Sequence, residues 1–223
     1  MFNPDEDNVL KTMVEVCNLY PGKILVFGGS IVHPQILGLP RARKYSKDTD
    51  FFVPDESVLR LIGKKYKLDE MEGTSYSIIN GLYAFFFVGR IKDLELQESQ
   101  YSPQVFNTSK GTVYTLPLEL IAALKFRRGI TRAAQGLPTR KGTVIYGKDV
   151  YDVSALLSVS HDPRSFGNYM MMYTCPSCEL NVPYACIHDF LKHPAIGSLP
   201  KNYERGAEIV CNSINLISCR YSI

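Results

Sequence analysis

The chain has 223 residues, 45% of them apolar and 21% charged, with a net charge of +3; this suits one large domain, or a domain with a helical annex. That balance excludes a collagen-like or disordered chain, and the longest strongly apolar run, Tyr83 to Val88, is far short of the roughly 20 residues that span a bilayer as a helix. The acidic start, MFNPDEDNVL, lacks the basic-then-apolar order of a secretory signal, so a soluble, cytoplasmic protein with no membrane partner is expected.

In chain order, Asn3-Pro4 can cap and open a first helix, with Val9, Met13 and Val16 at helical spacing; Tyr20-Pro21-Gly22 ends it. Lys23 to Phe27 reads as a strand buried on both faces. Gly28-Gly29-Ser30 follows at once, and a short helix is expected from there. After a basic loop, Thr49 to Val53 predicts a second strand, stopped by Pro54. Pro54 to Tyr66 has helical character, with Val58, Leu59 and Ile62 on one face. Tyr76 to Asn80 and Tyr83 to Val88 read as paired strands joined at Asn80-Gly81, a strong hairpin signal. Ile91 to Leu96 predicts another strand. Thr115 to Glu119 opens a clear helix, with Pro117 tolerated near its start. Ala133 to Gly142 is a loop rich in Gly, Pro and basic residues. Gly147 to Leu157 is a helix with Val150, Val153 and Leu157 on one face. Composition shifts toward Cys, Met and Tyr near Ser160 to Gly167, which places a boundary between residues 1–160 and 161–223. Tyr203 to Ile217 closes the chain as a helix.

The chemistry concentrates in two places. Paired glycines let the backbone turn sharply and approach a ligand with no Cβ in the way. Unpaired N–H groups at a following helix start favour phosphate, and Ser30 adds a hydroxyl. Taken alone, Gly-Gly after a strand is more often a simple turn. In Lys47-Asp48-Thr49-Asp50-Phe51-Phe52-Val53, the two aspartates point to the same strand face, about 6–7 Å apart. Carboxylates so placed suit one or two magnesium ions, which in two-metal sites sit roughly 3.5–4 Å apart. Without a cation or basic neighbours the pair would repel itself; an isolated D-x-D is more often a loop cap. Arg41, Arg43, Lys44 and Lys47 precede it, and Lys125, Arg127, Arg128, Arg132, Arg140, Lys141 and Lys148 form a second basic zone. Basic clusters beside a carboxylate pair suit a polyanion such as a nucleotide or nucleic acid, although any single one reads equally as solvated surface.

Of the six cysteines, Cys175, Cys178, Cys186, Cys211 and Cys219 fall in the last third, a local feature rather than a disulfide framework. Cys175-Pro-Ser-Cys178 has zinc-knuckle spacing, with Cys186, His188 and His193 close behind. A second regular pair is absent. Structural zinc at Cys175, Cys178, Cys186 and His188 therefore stands beside free thiols buried in a helical annex. Met170 to Met172, with Tyr169 and Tyr173, reads as core.

Taken together, a buried strand ending in Gly-Gly-Ser, a basic spacer and S-x-D-x-D running into an aromatic strand resembles the nucleotidyltransferase superfamily. The stretch VFGGSIVHPQILGLPRARKYSKDTDFFV looks like its AbiEii branch, which includes toxins related to MenT. Lys44 and Ser46 match the basic residue and the Ser or Thr that precede that branch's aspartate pair. LPLELIAALKFRR and KDVYDVSALL resemble its helical signature. The resemblance covers residues 1–160 and implies an α/β fold, a nucleotidyltransferase-type mixed sheet flanked by helices, with a C-terminal mainly helical annex. It further implies Lys125 as a contact to nucleotide phosphates and Asp149 as a further active-site acid. From spacing alone, Asp152 shares a helix face with Asp149 and reads equally as a surface ion pair. A third carboxylate on a neighbouring strand belongs to the pattern; Asp93 and Glu95 are the candidates, Glu95 being taken as the metal ligand.

The expected activity is transfer of a nucleoside monophosphate from a nucleoside triphosphate to a hydroxyl of RNA, such as a tRNA end, or of protein, with Mg2+ or Mn2+ at Asp48 and Asp50. A toxin or phage-defence setting with an antitoxin partner is implied. Two alternatives stay open: an enzyme acting on DNA or RNA, glycosylase- or nuclease-like, on the same scaffold, and a non-catalytic nucleotide or nucleic-acid binding module.

Overall fold

A computed structural model describes residues 4–40, 48–88, 102–134, 145–160, 162–172 and 181–220. The chain divides into two compact units, residues 1–117 and 118–223. The boundary expected at residue 160 falls inside the second of these. Ile91 to Leu96 and most of the loop after Ala133 lie outside the described residues; Ala133 itself still belongs to a helix. Among the described residues, no helix is long and apolar enough to cross a membrane.

The first unit is built on one mixed seven-stranded sheet. Its elements are α1 (Pro4–Cys17), β1 (Leu25–Phe27), α2 (Pro34–Leu37), β2 (Asp48–Val53), α3 (Glu56–Lys65), β3 (Asp69–Met71), β4 (Thr74–Ile79), β5 (Leu82–Val88), β6 (Gln104–Thr108) and β7 (Gly111–Thr115). The strand order is β3-β4-β5-β2-β1-β7-β6. Strand β2 runs antiparallel to β1 and parallel to β5, so it is interior to the sheet. The Asn80-Gly81 turn joins β4 to β5 with φ of 51° and 78°, as a two-residue hairpin turn requires.

Alternation gives this sheet two different faces. Val26, Thr49, Phe51, Val53, Ala84 and Phe86 are at most 1% exposed, and Phe51 stacks on Phe86 with centroids 5.6 Å apart. Helices α1 and α3 lie against β2 and β5. Val9, Met13 and Val16 of α1 are fully buried, as are Ile62 of α3 and the strand residue Val26. Asp55 starts α3 by accepting hydrogen bonds from the backbone N–H of Ser57 at 2.8 Å and of Val58 at 3.1 Å, the standard use of aspartate at a helix start. A polar knot ties α1 to α3 and the hairpin. The Tyr66 hydroxyl and the Asn80 amide donate to Glu15 at 2.5 and 3.2 Å, and Lys65 pairs with it at 3.2 Å. The Tyr66 hydrogen bond, chiefly, holds the Glu15 carboxyl below its ordinary value.

Three strands are additions to the sequence reading. Strand β3 is wholly exposed. Strands β6 and β7 form a hairpin at the other edge, where Val105 is 56% exposed. None of them shows an apolar face in its sequence.

The second unit's described elements are helices: α4 (Leu118–Ala134), α5 (Gly147–Ser158), α6 (Pro163–Met172), α7 (Asn181–Lys192) and α8 (Glu204–Arg220). Helix α4 packs on α5, α6 and α7. Phe126 of α4 meets Phe166 of α6 and Phe190 of α7 at centroid distances of 5.7 and 5.1 Å. Met170 is 1% exposed, in the core as expected. Where α8 crosses α5, the Gly206 N–H donates to Ser158 Oγ at 2.9 Å. A side chain at Gly206 would overlap the Ser154 carbonyl, whose carbon would lie 2.7 Å from the added Cβ.

Candidate active site

Strand β1 ends at Phe27, paired in register with Asp50 of β2. The chain then turns at Gly28, whose φ of 84° and ψ of −155° only glycine adopts at little cost. A Cβ there would collide with Asp50 Oδ2 and sit 3.3 Å from Asp50 Cγ. The carboxylate of Asp50 therefore lies directly against the backbone of the turn. Asp48 is two residues earlier on the same face and exposed, while Asp50 is half-buried and Thr49 between them points to the buried face. Asp50 thus meets the glycine turn, with Asp48 on the same face of the strand.

The turn continues as a single 3-10 turn, Gly29–Ile31, and α2 has only four residues. The dipole of a long helix is thus not available here. A phosphate held here would rely on the few N–H groups of the turn and on Ser30. The Ser30 side chain is 4% exposed, and its hydroxyl has no hydrogen-bond partner among the described residues. Buried hydroxyls are normally satisfied; among the described residues, those of Thr49 and Ser154 share this state. His33, 3% exposed, braces the turn from behind. Its Nδ1 accepts from the Gln35 N–H at 3.1 Å, and Nε2 faces the Glu6 carbonyl at 3.2 Å. An accepting Nδ1 places the ring proton on Nε2, which then donates to Glu6.

The neighbours of β2 decide what else can join the acids. Across β1 the same-face residues are Leu25 and Phe27, and across β5 they are Tyr83, Phe85 and Phe87. No carboxylate stands on either flanking strand. Asp93 and Glu95 lie outside the described residues, as do Lys44, Ser46 and the other basic residues of 41–47. Among the described residues, no three acidic, His or Cys side chains form a metal-binding group. A glycine cradle that leaves room for the Asp50 carboxylate, a second carboxylate on the same face and an orphaned hydroxyl nevertheless fit a divalent cation held by Asp48 and Asp50.

Lys125 and Asp149 belong to the second unit, where they form a buried ion cluster. Lys125 Nζ lies 3.4 Å from Asp149 Oδ1 and 2.8 Å from Asp152 Oδ2, and the side chains are 6%, 3% and 0% exposed. Asp152, which spacing alone leaves as readily on the surface, is the most buried of the three. In the same unit, the Ser160 hydroxyl donates to the buried Glu119 carboxylate. Of the possible zinc ligands, Cys175 and Cys178 lie outside the described residues. Cys186 falls on α7, and His188 is exposed on the same helix. Lys148 is exposed.

Sequence reasoning missed the aromatic side of this face. Tyr76, Tyr83 and Phe85 form a ring cluster with centroids 5.7 to 6.2 Å apart. Their signal is present in Tyr76-Ser77-Ile78-Ile79-Asn80-Gly81-Leu82-Tyr83-Ala84-Phe85, where alternate positions on both arms of the hairpin are aromatic or apolar.

No protein-family pattern matches the chain, and no curated protein sequence matches it. Solved structures do resemble it. An antigenic nucleotidyltransferase-like protein from Paracoccidioides brasiliensis is 14% identical with a TM-score of 0.52, over 89% of this chain and 93% of that one. MenT4, a nucleotidyltransferase toxin from Mycobacterium tuberculosis H37Rv, is 10% identical with a TM-score of 0.52, over 96% of this chain and 93% of that one. The chain has the nucleotidyltransferase-like fold that these two structures share.

Proposed function

We propose that the chain is a metal-dependent nucleotidyltransferase that moves a nucleoside monophosphate from a nucleoside triphosphate to an acceptor hydroxyl of RNA or protein. The single observation that carries this reading is the Asp50 carboxylate resting on Gly28 with Asp48 on the same sheet face. Asp48 and Asp50 would hold a magnesium or manganese ion, which when bound supplies charge neutralisation for the triphosphate and a more acidic acceptor hydroxyl. The turn 28–31 would offer backbone N–H groups, and Ser30 its hydroxyl, to the triphosphate. In the reaction the acceptor oxygen bonds the α-phosphorus as the hydroxyl loses its proton, and the bond to diphosphate breaks. The interior position of β2 keeps the two carboxylates in fixed register with the turn, so little reorganisation is needed during transfer.

By resemblance, Lys125 would contact the phosphates and Asp149 would serve as an acid. Their mutual pairing supports a second role as well, fixing α4 against α5. A toxin setting, with an antitoxin protein as partner, draws on the likeness to MenT4, itself a nucleotidyltransferase toxin; a phage-defence setting rests on the motif resemblance alone. Structural zinc near Cys175 and Cys178 stays a proposal resting on their spacing alone.

The test is a titration of magnesium and each nucleoside triphosphate into wild type and Asp48→Ala, followed by transfer of labelled nucleotide to total RNA or protein. Tight binding by wild type, lost in the variant, is the expected result. Equal binding by both would remove Asp48 from the site. A second reading, chemistry on nucleic acid without nucleotide transfer, draws on the aromatic residues of β5 that flank the two acids. Activity that survives EDTA selects it.

A further inference from the structure

The sheet face that bears the acids continues past β2 as an aromatic surface. Across β5 and β4, the residues in register with Asp48 are Tyr83 and then Ile78; those in register with Asp50 are Phe85 and then Tyr76. Tyr83 and Phe85 stack with an interplanar angle of 18°, and Tyr76 leans on both. Tyr83 is 41% exposed and Ile78 62% exposed. Tyr76 and Phe85 are half-buried, so Tyr83 and Ile78 give this surface its open part, and an exposed ring suits a flat ligand.

The strand order gives this surface a direction. The phosphate turn leaves β1 on one flank of β2, and β5 and β4 lie on the other. In-line displacement puts the leaving diphosphate and the attacking hydroxyl on opposite sides of the phosphorus. With the diphosphate on the β1 side, the acceptor enters from the β5 side, over the rings. A serine or tyrosine hydroxyl of a protein has no need of such a floor. A terminal nucleotide does, because its base lies beside its sugar hydroxyl and would fall on the neighbouring strands, about 5 Å apart.

We propose that Tyr76, Tyr83 and Phe85 form a stacking platform for the unpaired bases at the end of a single-stranded nucleic-acid acceptor, delivering its terminal hydroxyl to Asp48 and Asp50. This rests on the transferase reading above. Stacking on aromatic side chains tolerates any base, so the platform selects for single-strandedness rather than for sequence.

The experiment measures fluorescence anisotropy of a labelled single-stranded oligonucleotide, about twelve nucleotides long, in EDTA so that neither metal nor triphosphate contributes. Tyr76→Ala and Tyr83→Ala should each weaken binding about tenfold. Tyr83→Phe should stay within about twofold of wild type, and Tyr83→Leu, which keeps apolar bulk without a ring, should behave like the alanine variant. Thermal melts of each variant separate lost binding from lost fold; Tyr83→Leu carries the test if an alanine variant unfolds. Undiminished binding in folded alanine or leucine variants overturns the platform, as does no oligonucleotide binding by wild type. So does nucleotide transfer to protein in place of nucleic acid. Magnesium–triphosphate binding by wild type is measured separately: its absence sinks the transferase reading, and its presence alongside indifferent tyrosine variants sinks only the platform.

Discussion

At Gly28 one missing side chain decides whether two acids can meet a phosphate turn. Gly28→Ala forces a Cβ into the Asp50 carboxylate at a backbone angle of 84° that alanine disfavours. We expect a loss of about 1–3 kcal/mol in denaturant unfolding, together with metal binding weakened at least tenfold. Unchanged metal affinity would show that Asp50 is not a ligand. Lys125 poses the opposite question, because its pairing alone accounts for its burial. Lys125→Met leaves Asp149 and Asp152 buried without their cation and should cost about 3–5 kcal/mol. Loss of nucleotide binding with stability intact would instead assign Lys125 to the phosphates. Burial raises the Cys17 thiol to about 12, and its Sγ lies 3.8 Å from the Tyr114 carbonyl. Among the described cysteines, iodoacetamide at neutral pH should therefore modify exposed Cys211 and spare Cys17, as peptide mapping will show. The glycine–aspartate contact was legible in the sequence because turn chemistry and strand alternation are local rules. The Lys125 cluster was only half legible: spacing puts Asp149 and Asp152 on one helix face, but which way that face points depends on α4.

The same division holds for whole elements. Helices α1, α3, α4, α5 and α8 and the β4–β5 hairpin are readable because each carries its own apolar period or turn dipeptide. Strands β3 and β6 are not, since they sit at the sheet edges and expose much of what they carry; β7, enclosed between β1 and β6, is a short run with a single buried apolar residue, Val113. Their pairing partners, rather than their composition, make them strands. Element packing also makes predictions. Gly206→Ala drives α8 off the α5 backbone and should cost about 1–3 kcal/mol, read as a lower thermal midpoint. The knot around Glu15 is pH-dependent. Its carboxyl is held below the ordinary value of 4.5, so its contribution is complete above that value and fades as pH falls through the lower folded value. Glu15→Gln should flatten stability against pH across that acid window in chemical denaturation, and an unchanged profile would show that the knot contributes nothing there.

For the molecule as a whole, composition pointed to a boundary near residue 160, where cysteines begin to accumulate, yet the compact units divide at Pro117 and Leu118. Helix α4, although it carries part of the motif resemblance, buries Phe126 against α6 and α7, and burial sets units where motif extent does not. The fold class itself was legible because Gly-Gly-Ser and D-x-D fix two adjacent strands of a mixed sheet.

Strand β2 is laced on both sides, to β1 and to β5. Edge hairpins can open and reclose with little disturbance to a strand so enclosed. In deuterated water, the backbone N–H groups of Phe51 and Phe52 should therefore be among the last of the first unit to be replaced, and those of β3 and β6 among the first. The edges of the sheet would then loosen many times over while the two carboxylates at its centre keep their places.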